Sequence, residues 1–305
     1  MSARIKTVGL ALALGSAALT AAVLGGARSG QAQNEPLTGV WTAERSRWKV
    51  AGEGTAHIVQ LGLRRRGGGR GNWNSAFPVP LTELRGLSAA QIDGPRSEVR
   101  FELMRDAGTL TFEGRFQEGE GAGHFAFAPS AEFLAAMRQA GYGNVDGEKA
   151  FSLAVHDVSR AFIRDLGALG YERLTLDQLV SLRIHGASPQ FIRDLKALGY
   201  SGLTVDQLVS LRIHGATPEW IRELAALGYR ALAVDGLVSL RIHGAGPEFI
   251  RELKDVGYDR LTTDQLVSLR IHGVTPEFVK RAKTSAGRPV AVDRLVEMRI
   301  HGRQP

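Results

Sequence analysis

The sequence predicts an α+β protein, in which a small N-terminal antiparallel β domain precedes an α-solenoid of about six 29-residue αα-hairpin repeats. Two observations predict this class, and a third predicts export of the chain. The string Leu-Arg-Ile-His-Gly occurs four times, always 29 residues apart. Apolar and polar residues alternate in several stretches of residues 36–128, which is typical of half-buried strands. An uncharged stretch rich in Ala and Leu follows a short positive start.

The first element in chain order is a predicted signal peptide at residues 1–32. Arg4 and Lys6 precede an uncharged stretch at 7–26, and Gly-Gln-Ala at 30–32 offers small residues for cleavage. This is the layout of a secretory signal peptide. The alternative is an uncleaved membrane anchor, because about 20 residues can span a bilayer. We therefore expect a periplasmic or secreted protein, with a membrane contact only where the segment is retained.

The composition narrows the function classes. The chain has 305 residues, of which 44% are hydrophobic and 23% charged, as in ordinary globular proteins. It has no cysteine, which excludes disulfides, thiolate chemistry and cysteine-based metal sites. The formal charge of +7 falls to +4 without residues 1–32, which hold Arg4, Lys6, Arg28 and no acid. Such a mild excess gives no reason to expect a nucleic-acid partner.

Residues 33–128 are predicted to form the antiparallel β domain. A sheet of four to six strands fits the alternation, with a hairpin turn at 106–108, another at 118–123 and a short helix near 80–90. The expected strands lie at 37–44, 55–65, 99–103, 109–113 and 124–127.

Two features of the β domain are candidates for ligand binding. Trp41, Trp48 and Trp73 are interpreted as core and edge residues, or alternatively as a sugar-stacking platform. A glycine-rich segment carries a run of arginines, which forms either a solvated hairpin loop or a site for an acidic cell-surface polymer. This candidate anion loop consists of Arg64, Arg65, Arg66 and Arg70.

Residues 129–305 are predicted to form the helical-hairpin repeat array. In one unit the first helix is predicted to start after Thr217, an N-cap, with Pro218 at its first position and Gly228 just past its end. Two short helices in each unit form an αα-hairpin, and the end units diverge as caps do.

The second helix of a unit is predicted from a capping box. Thr204 and Gln207 occupy the two capping positions, and Gly215 ends the helix after the histidine. At 100° per residue, the apolar side chains span an arc of about 200°, which predicts packing on two sides. This arc consists of Leu208, Val209, Leu211 and Ile213.

Arg212 falls in the middle of that apolar arc. A buried charge without a partner is very costly, so we expect each such arginine to pair with an acid of a first helix. The alternative is that the arginine extends to solvent from a short helix. The predicted structural ladder joins Arg183, Arg212, Arg241 and Arg270 with Asp165, Asp194, Glu223 and Glu252.

The polar residues of the second helices form a candidate interaction surface. The histidines also have a structural explanation, because a cationic imidazole in the last turn complements the helix dipole. Neighbouring histidines would stand about 9–10 Å apart on packed helices, too far to share one zinc ion. We therefore expect no metal and no cofactor. The surface consists of His185, His214, His243, His272, Gln178, Gln207 and Gln265.

The repeat unit resembles a tandem repeat of exported bacterial proteins, and it is similar to the periplasmic tails of some beta-lactam-sensor-type antirepressor metallopeptidases. The similarity covers roughly residues 129–302, and the preceding β domain, with Gly-Arg-Phe at 114–116, accompanies the repeats. The chain lacks the multi-span membrane region and the zinc-peptidase motif of those enzymes. The resemblance therefore implies a sensor-like periplasmic module without proteolysis.

The function expected from the sequence is non-enzymatic. Nucleophile-elbow, P-loop and dinucleotide-binding motifs are also missing from the sequence. We expect a periplasmic or secreted protein–protein interaction scaffold or sensor-type module, whose partner is another envelope protein. The alternative is an envelope protein that binds peptidoglycan or an acidic glycan through its β domain.

Overall fold

The structure is a computed structural model that describes residues 37–45, 57–65 and 73–303. It shows an α+β protein, with a curled seven-stranded antiparallel sheet followed by regularly spaced helices. The predicted signal peptide at 1–32 lies outside the described residues. The strands are β1 Leu37–Arg45, β2 Ile58–Arg65, β3 Trp73–Pro80, β4 Leu84–Arg85, β5 Ser97–Arg105, β6 Gly108–Gln117 and β7 Glu120–Pro129.

The sheet has the order β3-β2-β1-β7-β6-β5-β4 and curls around its apolar face. Trp41 of β1 and Phe101 of β5 are separated by two strands, yet their ring centroids are only 5.3 Å apart. Three strand spacings in a flat sheet would separate these positions by about 14 Å. The aromatic rings therefore fill the inside of a half-barrel, and the alternate residues form an outer polar face.

The sheet has seven strands, so the expectation of four to six was wrong. The period-2 pattern did not indicate β3 and β4. β3 contains Pro78 and Pro80 and lies at the sheet edge, where proline costs no ladder hydrogen bond. β4 has only two residues. The region near 80–90 holds a 3₁₀ turn at Leu81–Glu83, and α1 follows at Ala89–Asp93.

Twelve helices follow the sheet within the described ranges, and they alternate between two sets. The first helix of each pair and the second helix of each pair start every 29 residues. The first helices are α2 Ala131–Gln139, α4 Arg160–Gly167, α6 Pro189–Ala197, α8 Pro218–Ala226, α10 Pro247–Asp255 and α12 Pro276–Ala286. The second helices are α3 Gly147–Val155, α5 Leu176–Ile184, α7 Val205–Ile213, α9 Val234–Ile242, α11 Thr263–Ile271 and α13 Val292–Ile300.

The predicted caps are present in the helices that suggested them. The Thr204 hydroxyl accepts a hydrogen bond from the backbone N–H of Gln207, whose side chain accepts one from the backbone N–H of Thr204. Thr217 caps α8, which has proline at its first position. Gly228 has a φ of +101°, a left-handed conformation that favours glycine at a helix end.

Second helices pack on second helices and first helices on first helices, in two rows. Leu208, Leu211 and Leu224 are fully buried between them. Tyrosines add links between pairs, because the Tyr171 hydroxyl donates to the Leu203 carbonyl at 2.8 Å and Tyr229 makes the same bond to Leu261. Each pair is thus fastened mainly to its neighbours.

The sheet shares one apolar core with the helices that follow it. Phe151 of α3 stacks on Phe125 of β7 at 5.6 Å and meets the edge of Trp73 of β3 at 4.9 Å. Arg160, which begins α4, donates hydrogen bonds from its backbone and side chain to Asp106, in the turn between β5 and β6. The chain therefore passes from sheet to helices without a break in packing.

Candidate interaction surface

Four of the five residues in the Leu-Arg-Ile-His-Gly motif each have a distinct structural role. In α7, Leu211 is fully buried and Arg212 reaches the preceding helix pair. His214 is the C-cap residue, and Gly215 follows with a φ of +67°. Ile213 has no comparable role, because 57% of its surface is exposed. Its predicted place in a buried apolar arc was wrong.

The arginines connect consecutive helix pairs. Arg212 Nε donates to the backbone carbonyl of His185 at 3.3 Å, and its guanidinium lies 5.1 Å from the ring centroid of Phe191. A planar cation over an aromatic face is favourable, and the arginine stem packs beside it. The stacked pairs are Arg183 on Phe162, Arg212 on Phe191, Arg241 on Trp220, Arg270 on Phe249 and Arg299 on Phe278.

The glycine of the motif makes room for this arginine. A Cβ atom added to Gly186 would lie 2.8 Å from Nη2 of Arg212, and one added to Gly215 would lie 2.7 Å from Nη2 of Arg241. Glycine is therefore favoured here both by the left-handed backbone and by the close approach of the next pair.

The prediction that the ladder arginines pair with acids of the first helices was wrong. Asp165 lies 3.3 Å from Arg164, Asp194 accepts a hydrogen bond from Gln190, and Glu223 pairs with Arg251 at 2.7 Å. Among the described residues, no ion pair joins Asp165, Asp194, Glu223 or Glu252 to Arg183, Arg212, Arg241 or Arg270.

The helical wheel failed here because it treated residue 212 as an interior position. In the last turn, the Arg212 side chain passes the end of its helix and finds a carbonyl and a ring instead of an acid. Arg183 differs from the others, since it forms an ion pair with Asp157, which stands where later pairs have glycine.

The glutamines of the predicted interaction surface cap the N-termini of their own helices with their side chains. Gln178, Gln207 and Gln265 each accept a hydrogen bond from the backbone N–H of the capping threonine at 2.9 Å. The histidines are C-cap residues, and their backbone carbonyls at positions 156, 185, 214 and 243 accept from the arginines. The side chains of His185, His214 and His243 are half-buried, and that of His272 is exposed.

A row of exposed isoleucines follows the second helices. This set was missed by sequence reasoning, because the wheel assigned the position to the core. The isoleucines are 55–58% exposed, and each lies in the last position of its helix. The row consists of Ile184, Ile213, Ile242, Ile271 and Ile300.

The second helices are also more uniform than the first helices. Residues 177–186, 206–215 and 264–273 are identical, and 235–244 differ from them at one position. In the first helices one shared position holds Asp194, Glu223 and Arg281, although another keeps an exposed arginine at 164, 193, 222 and 251. This contrast within one chain was a signal that could have pointed to the surface of the second helices.

The outer polar face of the sheet carries a groove of about 800 Å³. Arg64, His124, Glu113 and Arg100 line it and follow one another across neighbouring strands, with Val40 between the first two. Glu113 lies 3.5 Å from Arg100. The groove therefore has a mixed polar and apolar lining, with Arg64 at one end and the Arg100–Glu113 pair at the other.

Of the predicted anion loop, Arg64 lies in this groove and Arg65 does not. The Arg65 side chain is 11% exposed and pairs with Glu148 of α3 at 2.6 Å, over the ring of Phe151. The expectation for Arg65 is thus corrected, because this residue fastens β2 to α3. Arg66, Arg70 and Trp48 lie outside the described residues.

Trp41 is too deeply buried to belong to a sugar-stacking platform. Trp41 is 1% exposed, and its indole N–H donates to the carbonyl of Glu113 at 3.1 Å. Trp73 is half-buried against Phe151. These two rings therefore have the core and edge positions that were the favoured interpretation.

Comparisons with known protein families, with curated proteins and with solved structures find no match to this chain. In the described ranges, no helix has the length and apolar character needed to cross a bilayer. No group of three or more His, Asp or Glu side chains in those same ranges is arranged to hold a metal ion.

Proposed function

We propose that this protein is a non-enzymatic interaction scaffold, in which the helices form a solenoid-type repeat array that holds other proteins. The observation that carries the proposal is the row of five exposed isoleucines. An apolar side chain on a surface gains free energy when a partner removes it from water, at about 25 cal/mol per Å². A repeated apolar position therefore favours a binding surface over a solvated face.

The dimensions of the array support a protein partner. Five neighbouring second helices at a spacing of about 8–10 Å form a surface roughly 40 Å long. Surfaces of this length suit an extended or helical polypeptide rather than a small molecule.

We further propose that the scaffold works in the periplasm or outside the cell. The supporting observation is the pattern of residues 1–32, with Arg4 and Lys6 before an uncharged stretch. We propose that its partner is another envelope protein.

Site-specific photo-crosslinking in the native host tests the scaffold function. A photoreactive residue at position 242 should capture a partner, because Ile242 is an exposed member of the row. The same probe at position 222, an exposed residue of a first helix, is the matched control. Probes at positions 184 and 213 extend the test to two more isoleucines of the row. Equal adducts at positions 242 and 222, or no adducts from 184, 213 and 242, would contradict the proposal.

A second candidate function is glycan binding by the sheet. The groove beside Arg64, His124 and Arg100 favours it, since guanidinium groups bind carboxylates well. Titration calorimetry with acidic oligosaccharides and peptidoglycan fragments tests this function. Binding that is lost in Arg100→Ala would support it, and heats equal to those of buffer would exclude it.

A further inference from the structure

We propose that the outward face of α5, α7, α9, α11 and α13 binds a basic amphipathic α-helix. This inference rests on the proposed scaffold function and names the chemistry of its partner. Two parallel rows define the face, one apolar and one acidic. The apolar row is Ile184, Ile213, Ile242, Ile271 and Ile300, and the acidic row is Asp177, Asp206, Asp235, Asp264 and Asp293.

The fold gives no reason for isoleucine in the apolar row. The side chain of Ile213 points away from the buried Leu208 and Leu211, and more than half of it is exposed. Isoleucine is also a poorer helix former than Ala, Leu, Lys or Glu, so an exposed helix position gains nothing from it locally. Isoleucine nevertheless recurs at all five positions.

The acidic row runs beside the apolar row at a fixed distance. Asp206 and Ile213 are seven residues apart, which places them within about 20° of each other around the helix and about 10 Å apart along it. All five aspartates are exposed. Among the described residues, none of them has an ion-pair partner.

A partner helix laid across the second helices would match the spacing of these rows. Neighbouring second helices stand about 8–10 Å apart, and seven residues of an α-helix rise about 10.5 Å. A helix with one apolar residue per heptad could therefore contact successive isoleucines. Its Lys or Arg residues on one flank would lie over the aspartates, which gives the complex charge complementarity.

The acidic row also decides between possible occupants. A second copy of the chain that docked through its own equivalent face would bring another row of aspartates, so the two acidic rows would repel each other. An anionic lipid surface would be repelled by the aspartates. A basic helix is the occupant that both rows attract.

Fluorescence anisotropy with a designed peptide tests the proposal on the full chain. The probe is a helix of about 28 residues with Leu at every seventh position and Lys on one flank, and its control replaces Lys with Glu. We expect the basic peptide to bind at least about tenfold more tightly than the acidic one, with affinity that falls as salt increases.

Two triple variants and a matched control locate the site. Ile213→Ser with Ile242→Ser and Ile271→Ser should weaken binding of the basic peptide by about tenfold or more. Asp206→Asn with Asp235→Asn and Asp264→Asn should remove most of the salt dependence. Lys196→Ser with Lys254→Ser, on exposed positions of first helices, should change neither. Circular dichroism melts check that every variant folds.

Equal binding of both peptides, or a salt dependence that survives the aspartate variant, would overturn the proposal. It would also be overturned if no peptide bound while the isoleucine variant abolished self-association in sedimentation or binding to phosphatidylglycerol vesicles. In those cases crosslinks from position 242 to a host protein would still support the scaffold function, so the two failures are distinguishable.

Discussion

Arg212 lies over the ring of Phe191, with its guanidinium carbon 5.1 Å from the ring centroid. The same guanidinium group donates to a carbonyl of the preceding helix pair. One side chain thus joins three helices: its own α7, the α6 helix that carries the ring, and the end of α5.

Arg212→Ala should lower the free energy of unfolding by about 0.5–1.5 kcal/mol, because it removes an exposed cation–π contact and one hydrogen bond. Urea unfolding of the full chain measures the change. Arg222→Ala, on an exposed first-helix position, serves as the control and should stay within about 0.5 kcal/mol of wild type. Equal stability of Arg212→Ala and wild type would show that the arginine contributes nothing to the joint.

Gly186→Ala should destabilise the protein more than Gly202→Ala. Both glycines have a left-handed φ, +67° and +68°, so both variants carry the backbone cost of about 1 kcal/mol. Only the added Cβ at residue 186 meets another group, which is Nη2 of Arg212 at 2.8 Å. Thermal melts should show the difference, and an Arg212→Ala background should remove it. A difference that persists in that background would have another cause.

Asp106→Asn should weaken the joint between sheet and helices at neutral pH, and this effect should shrink as pH falls below 3.8, the usual pKa of the Asp106 carboxyl. Burial raises the pKa of the Asp106 carboxyl, but the hydrogen bonds and charge of Arg160 outweigh this and hold the pKa below its usual value. A depressed folded pKa gives stability that is present above the unfolded value and is lost as pH falls through the folded value. Melting temperatures of both proteins between pH 3 and pH 7 test this. Parallel curves would contradict it.

The imidazole of His156 should make the protein less stable in mild acid. Burial lowers the pKa of His156, so the folded state resists a proton that the unfolded chain accepts near pH 6.5. Its contribution is therefore present above that pH and is lost as pH falls through the folded pKa. His156→Gln should flatten the loss of melting temperature between pH 7 and pH 5. The variant His301→Gln, at an exposed position, is the control.

Export should leave a mature chain that begins at Gln33, because Gly-Gln-Ala at 30–32 suits cleavage. Intact-mass measurement of the protein from the cell envelope gives the terminus directly. A full-length mass in the cytosol would contradict the expected signal peptide.

The sequence was sufficient for features that depend on local chemistry. Capping threonines, the proline after Thr217 and the glycine at 228 located helix ends because each of these residues satisfies or frees backbone groups nearby. Alternation located five strands, but not the edge strand with Pro78 or the two residues of β4.

Features that depend on neighbouring helix pairs could not be derived from one helix alone. A wheel describes angles around a single axis, so it placed Ile213 in the core and gave Arg212 an acidic partner. Both residues lie in the last turn, where the neighbouring pair decides what is covered. Arg65 was misassigned for a related reason, since its partner Glu148 is 83 residues away in sequence.

The arginine joints reach back by 27 residues and the tyrosine bonds forward by 32, so neither passes beyond an adjacent helix pair. Removal of one whole interior period would rejoin equivalent partners on both sides of the deletion. In-frame duplication or loss of a period could thus lengthen or shorten the chain without changing the arginine and tyrosine contacts. The number of exposed isoleucines would change with it. The number of helix pairs can therefore change while the contacts between neighbouring pairs stay the same.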